Sequence, residues 1–388
     1  MSQRANPGLL LEIQKYGAPD ISACFNCGNC TAVCPLAGEG ASFPRRIIRY
    51  AQVGLKERLL AAPDLWLCYA CGECSTTCPR QAEPGEFMAA ARRFAIASDD
   101  VTGLAGVMVR RAWINVLANI ALTLFFALYL LSFRQPTPAG RLALFQFVPE
   151  VYVQVIGLAI FGVIGLAMLS GTWRMWRRLA GASGLTGDGR RPWHVWRQAL
   201  WDVLVVEALG QRRYRQSGCE EEQRPWYQRQ WLVHLTILYG FLGLFAATAL
   251  DFLFKPVGSA VPLYYPMRLL GTSAGLLLMC GASAAMLRRL QKRDRSARQS
   301  HISDWMFLIQ LWLVGLTGFL LELAVYALLP ALWGYALLIV HVALAMDLLL
   351  MLPFGKFNHA HYRTAALLVH RLQAAEPDRA GQPAPAEA

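Results

Sequence analysis

Apolar positions follow two different patterns on either side of Arg111. Before it, Ile47, Ile48, Leu55 and Leu59 fit a helix with one buried side, and no alternation is strong enough to predict a strand. Beyond it, six apolar segments each approach or exceed the roughly 20 residues that cross a bilayer as a helix. The predicted spans are residues 112–133, 151–173, 231–254, 263–287, 305–328 and 331–354.

This pattern predicts two domains and a tail. Residues 1–100 are expected to form a cytoplasmic helical domain, residues 101–372 a membrane domain, and the Pro/Ala-rich residues 373–388 a disordered tail. Hydrophobic residues make up 55% of the chain and charged residues 16%, against a usual charged share of about 25%. The composition therefore excludes a largely disordered chain and disfavours an ordinary soluble enzyme.

The formal net charge of +12 arises after residue 100, because residues 1–100 carry ten basic and ten acidic side chains. Eleven Arg lie in residues 174–230 and six Lys or Arg in residues 288–304, on one side of the predicted membrane. The positive-inside rule then predicts a multi-pass protein of the cytoplasmic membrane with both termini in the cytoplasm. Basic residues scattered over loops disfavour nucleic-acid binding, and no apolar secretory segment is visible at the start.

Two cysteine motifs form an internal repeat in the first domain. Cys24, Cys27, Cys30 and Cys34 recur 44 residues later as Cys68, Cys71, Cys74 and Cys78, and a proline follows each last cysteine. This spacing is typical of two-cluster ferredoxins, in which the fourth cysteine of each motif ligates the other [4Fe–4S] cluster. The predicted ligand sets are Cys24, Cys27, Cys30 and Cys78 for one cluster, and Cys68, Cys71, Cys74 and Cys34 for the other.

Two other interpretations of the cysteines remain open. Structural zinc usually uses separated cysteine pairs rather than four cysteines in eleven residues, and a purely structural pair of clusters would carry no electrons. Two adjacent clusters otherwise conduct single electrons. The predicted fold class is therefore all-α, with a helical two-[4Fe–4S] ferredoxin domain followed by a six-helix transmembrane bundle.

Histidines in the membrane domain suggest a haem. His234 falls in the first turn of the third span, His341 lies inside the sixth, and His359 follows it eighteen residues later. Eighteen residues make five turns of one continuous helix, so His341 and His359 would share a face about 27 Å apart. We predict that His234 and His359 ligate a haem iron from neighbouring helices. His361 and His370 are alternatives to His359, and interfacial side chains are the simpler explanation of the pair.

Charged residues near these histidines permit further predictions. Lys356 and Arg363 flank His359 at helical spacing, so they either pair with haem propionates or anchor the helix at the interface. Asp251, Glu322 and Asp347 lie within or near spans, where ionisable groups are costly, and any of them is a candidate to relay protons to a quinone.

The chain resembles known redox proteins. Residues 20–95 resemble the dicluster ferredoxin (C-type) subunit of heterodisulfide reductase, through Cys27-Gly28-Asn29-Cys30, residues 44–49 (PRRIIR) and residues 66–68 (WLC). Residues 225–365 resemble the cytochrome b (gamma) subunit of respiratory nitrate reductase, through His234, His341 and His359 and residues 351–354 (MLPF). The fusion is similar to the C-type subunit of the quinone-interacting membrane-bound oxidoreductase, and to the iron–sulfur cytochrome b protein (protein B) of tricarballylate and citrate utilisation.

The resemblance implies an electron-transfer subunit that links a soluble flavoprotein or heterodisulfide reductase-like partner to the quinone pool through the clusters and haem b. Leu244 occupies the position where the nitrate reductase pattern has a second haem ligand. One haem is therefore expected and two are possible, with His341 as a second haem ligand or a quinone-site residue. Substrate catalysis would reside in another polypeptide, because no nucleotide-binding Gly-rich loop is found. A membrane-anchored redox sensor or a transporter-like protein, both without haem, is the alternative.

Overall fold

The structure is a computed structural model that describes residues 4–37, 42–137, 142–185, 191–215, 225–254, 262, 264–292, 300–326 and 330–375. Every regular element within these ranges is helical, which confirms the all-α prediction. Residues 376–388, which belong to the predicted disordered tail, lie outside the described residues.

The helices fall into a short N-terminal series and a longer series that follows it. The first series is α1 (Leu9–Gln14), α2 (Asn29–Ala32), α3 (Arg45–Gln52), α4 (Lys56–Leu60), α5 (Asp64–Leu67), α6 (Glu73–Thr76), α7 (Pro84–Asp99) and α8 (Leu104–Arg110). The second series is α9 (Ala112–Ser132), α10 (Leu144–Phe147), α11 (Glu150–Ala182), α12 (Trp193–Trp201), α13 (Arg212–Arg215), α14 (Gln230–Phe254), α15 (Pro266–Gln291), α16 (Ile302–Tyr326), α17 (Ala331–Met351) and α18 (His359–Ala374). A π-helix runs over Asp202–Leu209, and 3-10 turns lie at Ile21–Ala23, Trp226–Gln228, Leu352–Phe354 and Lys356–Asn358.

Within the described residues, six helices are long and apolar enough to span a membrane: α9, α11, α14, α15, α16, and α17 with the turn after it. They confirm the predicted number of helices able to span a membrane, and each overlaps one predicted span. The largest difference is in α11, which continues nine residues beyond the predicted end at residue 173. Arg174 and Arg178 interrupt the apolar pattern there, but arginine is a good helix former and does not break the backbone. At 33 residues the helix is about 50 Å long, against about 30 Å for a bilayer core.

By packing, the chain divides into two compact units that do not follow chain order. The cysteine unit comprises Met1–Arg110, Ala167–Cys219 and Asn358–Ala388, and the bundle unit comprises Arg111–Leu166 and Glu220–Phe357. Helix α18 belongs to the cysteine unit because it packs against α5, α7 and α12. Hydropathy alone assigns a segment to a domain by composition, whereas these units reflect which helices bury each other's side chains.

The core of the cysteine unit joins α5 to α18 through two aromatic rings. Trp66 and Tyr362 stack with ring centroids 5.6 Å apart and an interplanar angle of 16°, and each side chain is 1% exposed. Phe87 and Phe94 of α7 are also fully buried. Buried aromatic side chains each contribute about 1.5–3 kcal/mol of transfer free energy, so this cluster fixes the position of α18 within its unit.

Asp99 forms a buried ion pair in the same unit. Its carboxylate lies 2.9 Å from the Arg178 guanidinium, and its side chain is 1% exposed. Burial raises the pKa of Asp99 to about 6, although Arg178 and Arg174 lower it and Glu57 raises it slightly. Because the folded state raises this pKa, the stability that protonated Asp99 contributes is fully present below about pH 4 and is lost as the pH rises through about 6.

We therefore expect the cysteine unit to lose up to about 3 kcal/mol of unfolding free energy between pH 4 and pH 7 through this group. Asp99→Asn should flatten that pH dependence, because an amide does not titrate. The measurement is the thermal unfolding midpoint of the full chain against pH, with Glu12→Gln, which changes a more exposed carboxylate, as the matched control. An Asp99→Asn profile as steep as that of the wild type would show that another group is responsible.

The bundle unit contains a close helix pair built on small residues. A Cβ atom at Gly240 of α14 would lie 2.6 Å from the backbone nitrogen of Leu278 in α15, and one at Gly243 would lie 2.7 Å from the Cβ of Ala274. Only glycine fits at these two positions. Small residues of this kind allow helix backbones to approach closely where no hydrophobic effect drives helices together, as within a membrane.

Candidate functional site

The two cysteine motifs adopt matching backbone turns. Asn26 and Ala70, which lie between the first two cysteines of their motifs, both have a φ of 59°, and Gly28 and Gly72 have φ values of 91° and 86°. Asn tolerates the left-handed region and Gly enters it without a Cβ clash, so these positions allow a tight wrap. Each turn leads into the short helix that carries the third cysteine of its motif, α2 or α6.

The second motif surrounds a cavity together with one cysteine of the first motif. Cys68, Cys71, Cys74 and Cys34 all line it, and apolar side chains such as Met88 complete the wall. Among the described residues, no group of three or more His, Cys, Asp or Glu side chains is arranged to hold a single metal ion. The structure therefore brings the fourth cysteine of the first motif to the first three of the second.

The reciprocal group forms around Cys30. Burial raises the pKa of Cys30, and its electrostatic neighbours Cys24, Cys27 and Cys78 raise it further. Cys78, the last cysteine of the second motif, thus lies near the first three cysteines of the first. The predicted exchange of fourth cysteines therefore matches the spatial neighbours of both groups.

The burial of these cysteine thiols favours the binding of a positively charged group. Burial raises the pKa of Cys34 to about 11 and raises that of Cys74 still more strongly. Such thiols stay neutral at pH 7 until a cation takes the place of the proton, and only the thiolate ligates metal. Four soft sulfur donors around an apolar cavity match an iron–sulfur cluster, which supplies that positive charge.

Backbone amides support the cysteine sulfurs. The Ala70 amide donates to Cys68 Sγ and the Ala82 amide to Cys78 Sγ, each at 3.4 Å. The Asn29 side chain donates to the Thr77 carbonyl and so joins the two motifs. Hydrogen bonds to ligating sulfurs stabilise their negative charge and tune the reduction potential of a cluster.

The residues predicted for haem propionates have protein partners in the structure. Arg363 of α18 approaches the carbonyl oxygens of Cys68 at 3.4 Å and Leu67 at 3.5 Å. Lys356 pairs with Asp304 at 2.7 Å. Arg363 therefore supports the backbone of the second cysteine motif, a contact that its spacing from His359 did not suggest.

The assumption of one continuous helix from His341 to His359 is wrong. Helix α17 ends at Met351, two 3-10 turns follow, and α18 begins at His359. Pro353 lacks a backbone donor and its ring clashes with the preceding turn, which favours an end or a kink of the α-helix at this position. His341 and His359 therefore lie on two different helices rather than on one face of a single helix. The assignment of His359 as a haem ligand stays a prediction.

The histidines predicted near the haem differ in their surroundings. His234 lies in the first turn of α14 in the bundle unit and is exposed, whereas His359 lies at the start of α18 in the cysteine unit and is half-buried. Both ring nitrogens of His361 are buried and have no hydrogen-bond partner among the described residues. The centroid of its ring lies 4.6 Å from that of Tyr362. His361 is the candidate that sequence spacing ranked below His359.

His341 and Asp347 both have polar neighbours inside the bundle unit. His341 Nδ1 lies 3.1 Å from Thr317 Oγ1 in α16. Asp347 contacts Thr123 and Gln310, which sequence reasoning did not single out. Polar residues recur every four positions in the apolar helix α9, at 115, 119 and 123. Residues four apart share a helix face, so this spacing could have indicated a buried polar cluster from the sequence.

Comparison with known proteins gives matches to both parts of the chain. A family model described as "Citrate utilization protein B" matches residues 106–381, and one described as "4Fe-4S dicluster domain" matches residues 20–82. The chain is similar to the "Citrate utilization protein B" of Escherichia coli, with 28% identity over 289 residues that cover 71% of each chain. No solved structure matches the chain.

Proposed function

Because the chain belongs to the citrate utilization protein B family, we propose that it is a membrane-bound electron-transfer subunit. It passes electrons between a cytoplasmic flavin or iron–sulfur partner and the quinone pool, through two [4Fe–4S] clusters and haem b. The observation that carries the proposal is the cavity that Cys34 shares with Cys68, Cys71 and Cys74, in a chain with six helices able to span a membrane.

The cysteine unit provides what two clusters need. Bound clusters supply reversible one-electron changes, with Cys24, Cys27, Cys30 and Cys78 holding one and Cys68, Cys71, Cys74 and Cys34 the other. The cavity wall is mostly apolar, and the amides of Ala70 and Ala82 would stabilise the charge on the ligating sulfurs.

Haem b is the proposed link to the membrane. We assign His234 and His359 as its axial ligands and His341 to a second haem or to a quinone site, as the resemblance to the nitrate reductase gamma subunit implies. His361 competes with His359, because an iron ligand role would satisfy one of its buried ring nitrogens. When bound, a haem supplies a further one-electron centre.

The charged residues beside His359 have a second role in this proposal. If a haem is bound as the resemblance implies, Lys356 and Arg363 would hold its propionates as charge-assisted donors.

The partner and the substrate follow from the relative's name and from the orientation of the spans. The similar protein of Escherichia coli is named for citrate utilisation, so the soluble flavoprotein or heterodisulfide reductase-like partner is proposed to act on a tricarboxylate. It docks on the cytoplasmic side, where the positive-inside rule puts both termini.

The experiment is re-oxidation of the chemically reduced full chain by a quinone in lipid vesicles. We expect rapid re-oxidation by the wild type and at least a tenfold slower reaction for Cys71→Ser, which removes a proposed cluster ligand. Cys280→Ser, a change outside both motifs, is the matched control and should react like the wild type. A reduced wild-type chain that no quinone re-oxidises would contradict the proposal.

A further inference from the structure

A carboxyl group lies inside the bundle unit without a charged partner among the described residues. Asp347 is on α17 and is 1% exposed. Its Oδ2 accepts hydrogen bonds from Thr123 Oγ1 at 3.0 Å and from Gln310 Nε2 at 2.9 Å. Its Oδ1 is buried and has no hydrogen-bond partner in the described part of the chain. One carboxyl oxygen therefore accepts two hydrogen bonds, while the other accepts none from the described residues.

The donors belong to a polar cluster that joins three spans. Gln310 Nε2 of α16 also donates to Asn119 Oδ1 of α9, and Asn119 Nδ2 donates to the Asn115 carbonyl at 2.7 Å and to its Oδ1 at 3.0 Å. Asn115, Asn119 and Gln310 are each less than a tenth exposed. The amide orientation of Gln310 is fixed by both contacts, because a flipped amide would place oxygen against oxygen twice.

The chemistry of this cluster favours a proton over a metal cation as its ligand. Hard cations take six or more oxygen ligands, whereas Thr123 and Gln310 present an O–H and an N–H to the carboxyl. Neither residue titrates. Their two hydrogen bonds stabilise an ionised carboxylate, and the open Oδ1 is a free acceptor for a proton.

A second titratable group shares the interface between α16 and α17. His341 lies six residues before Asp347 on α17, about 9 Å along the helix axis, and contacts Thr317. Thr317 lies seven residues, or about two turns, after Gln310 on α16, so both threonine and glutamine face α17. Ionisable groups at this depth in a membrane bundle are costly and usually functional.

We propose that Asp347 is a proton-binding site that is ionised when the chain is oxidised and takes up a proton when an electron enters the membrane part. This inference rests on the proposed electron-transfer function. The step would balance: one electron leaves a cluster and reduces the proposed haem, while one proton from bulk water forms a new O–H bond at Oδ1 and leaves hydroxide in the solvent. The proton offsets the charge of the electron, which is poorly screened in a low-dielectric bundle.

The test is reduced-minus-oxidised infrared spectroscopy of the full chain in lipid. Reduction should produce the carbonyl band of a neutral carboxylic acid, which shifts in heavy water because its proton exchanges. Asp347→Asn should lose this band completely. Asp251→Asn and Glu322→Gln, which alter two other carboxyl groups within spans, should keep it. Gln310→Leu should keep the band at a shifted frequency, because the carboxyl remains but loses one donor.

Electron paramagnetic resonance of the same samples separates the two proposals. Cluster reduction without any neutral-carboxyl band, or with a band that persists in Asp347→Asn, would overturn the proton site and leave electron transfer intact. Absence of cluster signals would overturn the proposed function and this inference with it. If Asp347→Asn does not assemble, the band frequency in Gln310→Leu decides, since an unshifted band places the proton on another carboxyl.

Discussion

We expect Cys34→Ser to remove the cluster of the second cysteine motif and to leave that of its own motif in place. Cys34 lines a cavity with Cys68, Cys71 and Cys74, so its loss leaves three thiolates where a cubane needs four. Iron in the anaerobically purified chain should fall from about eight to about four atoms. The measurement combines iron analysis with electron paramagnetic resonance of the reduced protein.

The matched change is Cys78→Ser, which should remove the other cluster, because Cys78 lies near Cys24, Cys27 and Cys30. Double substitution of Cys34 and Cys78 should therefore remove both clusters. Cys280→Ser controls for loss of a thiol as such and should retain about eight iron atoms. If Cys34→Ser instead lost the signal that depends on Cys24 and Cys27, each motif would hold its own cluster and the exchange would be wrong.

The second large effect concerns the haem. His234→Ala should abolish the b-type absorption band in the reduced-minus-oxidised optical spectrum, because one axial ligand is lost and the haem dissociates. His359→Ala and His361→Ala should give opposite results. Substitution of the residue that is the second axial ligand should eliminate the absorption band. Substitution of the other residue should leave the band in place with a small shift.

His194→Ala provides the control, since His194 is exposed and lies far along the chain from these positions. It should leave the spectrum unchanged. Intact wild-type protein with reducible clusters and no b-type band would refute the haem assignment, while the cluster assignment would survive. That outcome would favour an iron–sulfur redox sensor with a membrane anchor.

The sequence predicted the spans well because lipid imposes a simple rule on composition and length. Six apolar segments became six long helices. Cysteine spacing was equally informative, because ligand geometry around a cluster constrains positions close in sequence. Exact helix ends were less predictable: α11 continues to Ala182, since arginine ends an apolar pattern without ending a helix.

Contacts between distant segments could not be predicted from sequence. The helix breaks before His359 because Pro353 lies in the 3-10 turn that follows α17. Counting residues per turn does not take this proline into account. The stacking of Tyr362 on Trp66 and the approach of Arg363 to Cys68 join residues almost 300 positions apart. No local pattern records such pairs, because they follow from tertiary packing alone.

The central claim is that the eight motif cysteines hold two iron–sulfur clusters. Its most direct test is metal and acid-labile sulfide analysis of the full chain, isolated anaerobically in detergent. We predict about eight iron and about eight sulfide per chain, with electron paramagnetic resonance signals from two interacting centres on reduction. Stoichiometric zinc with neither iron nor sulfide would contradict the account.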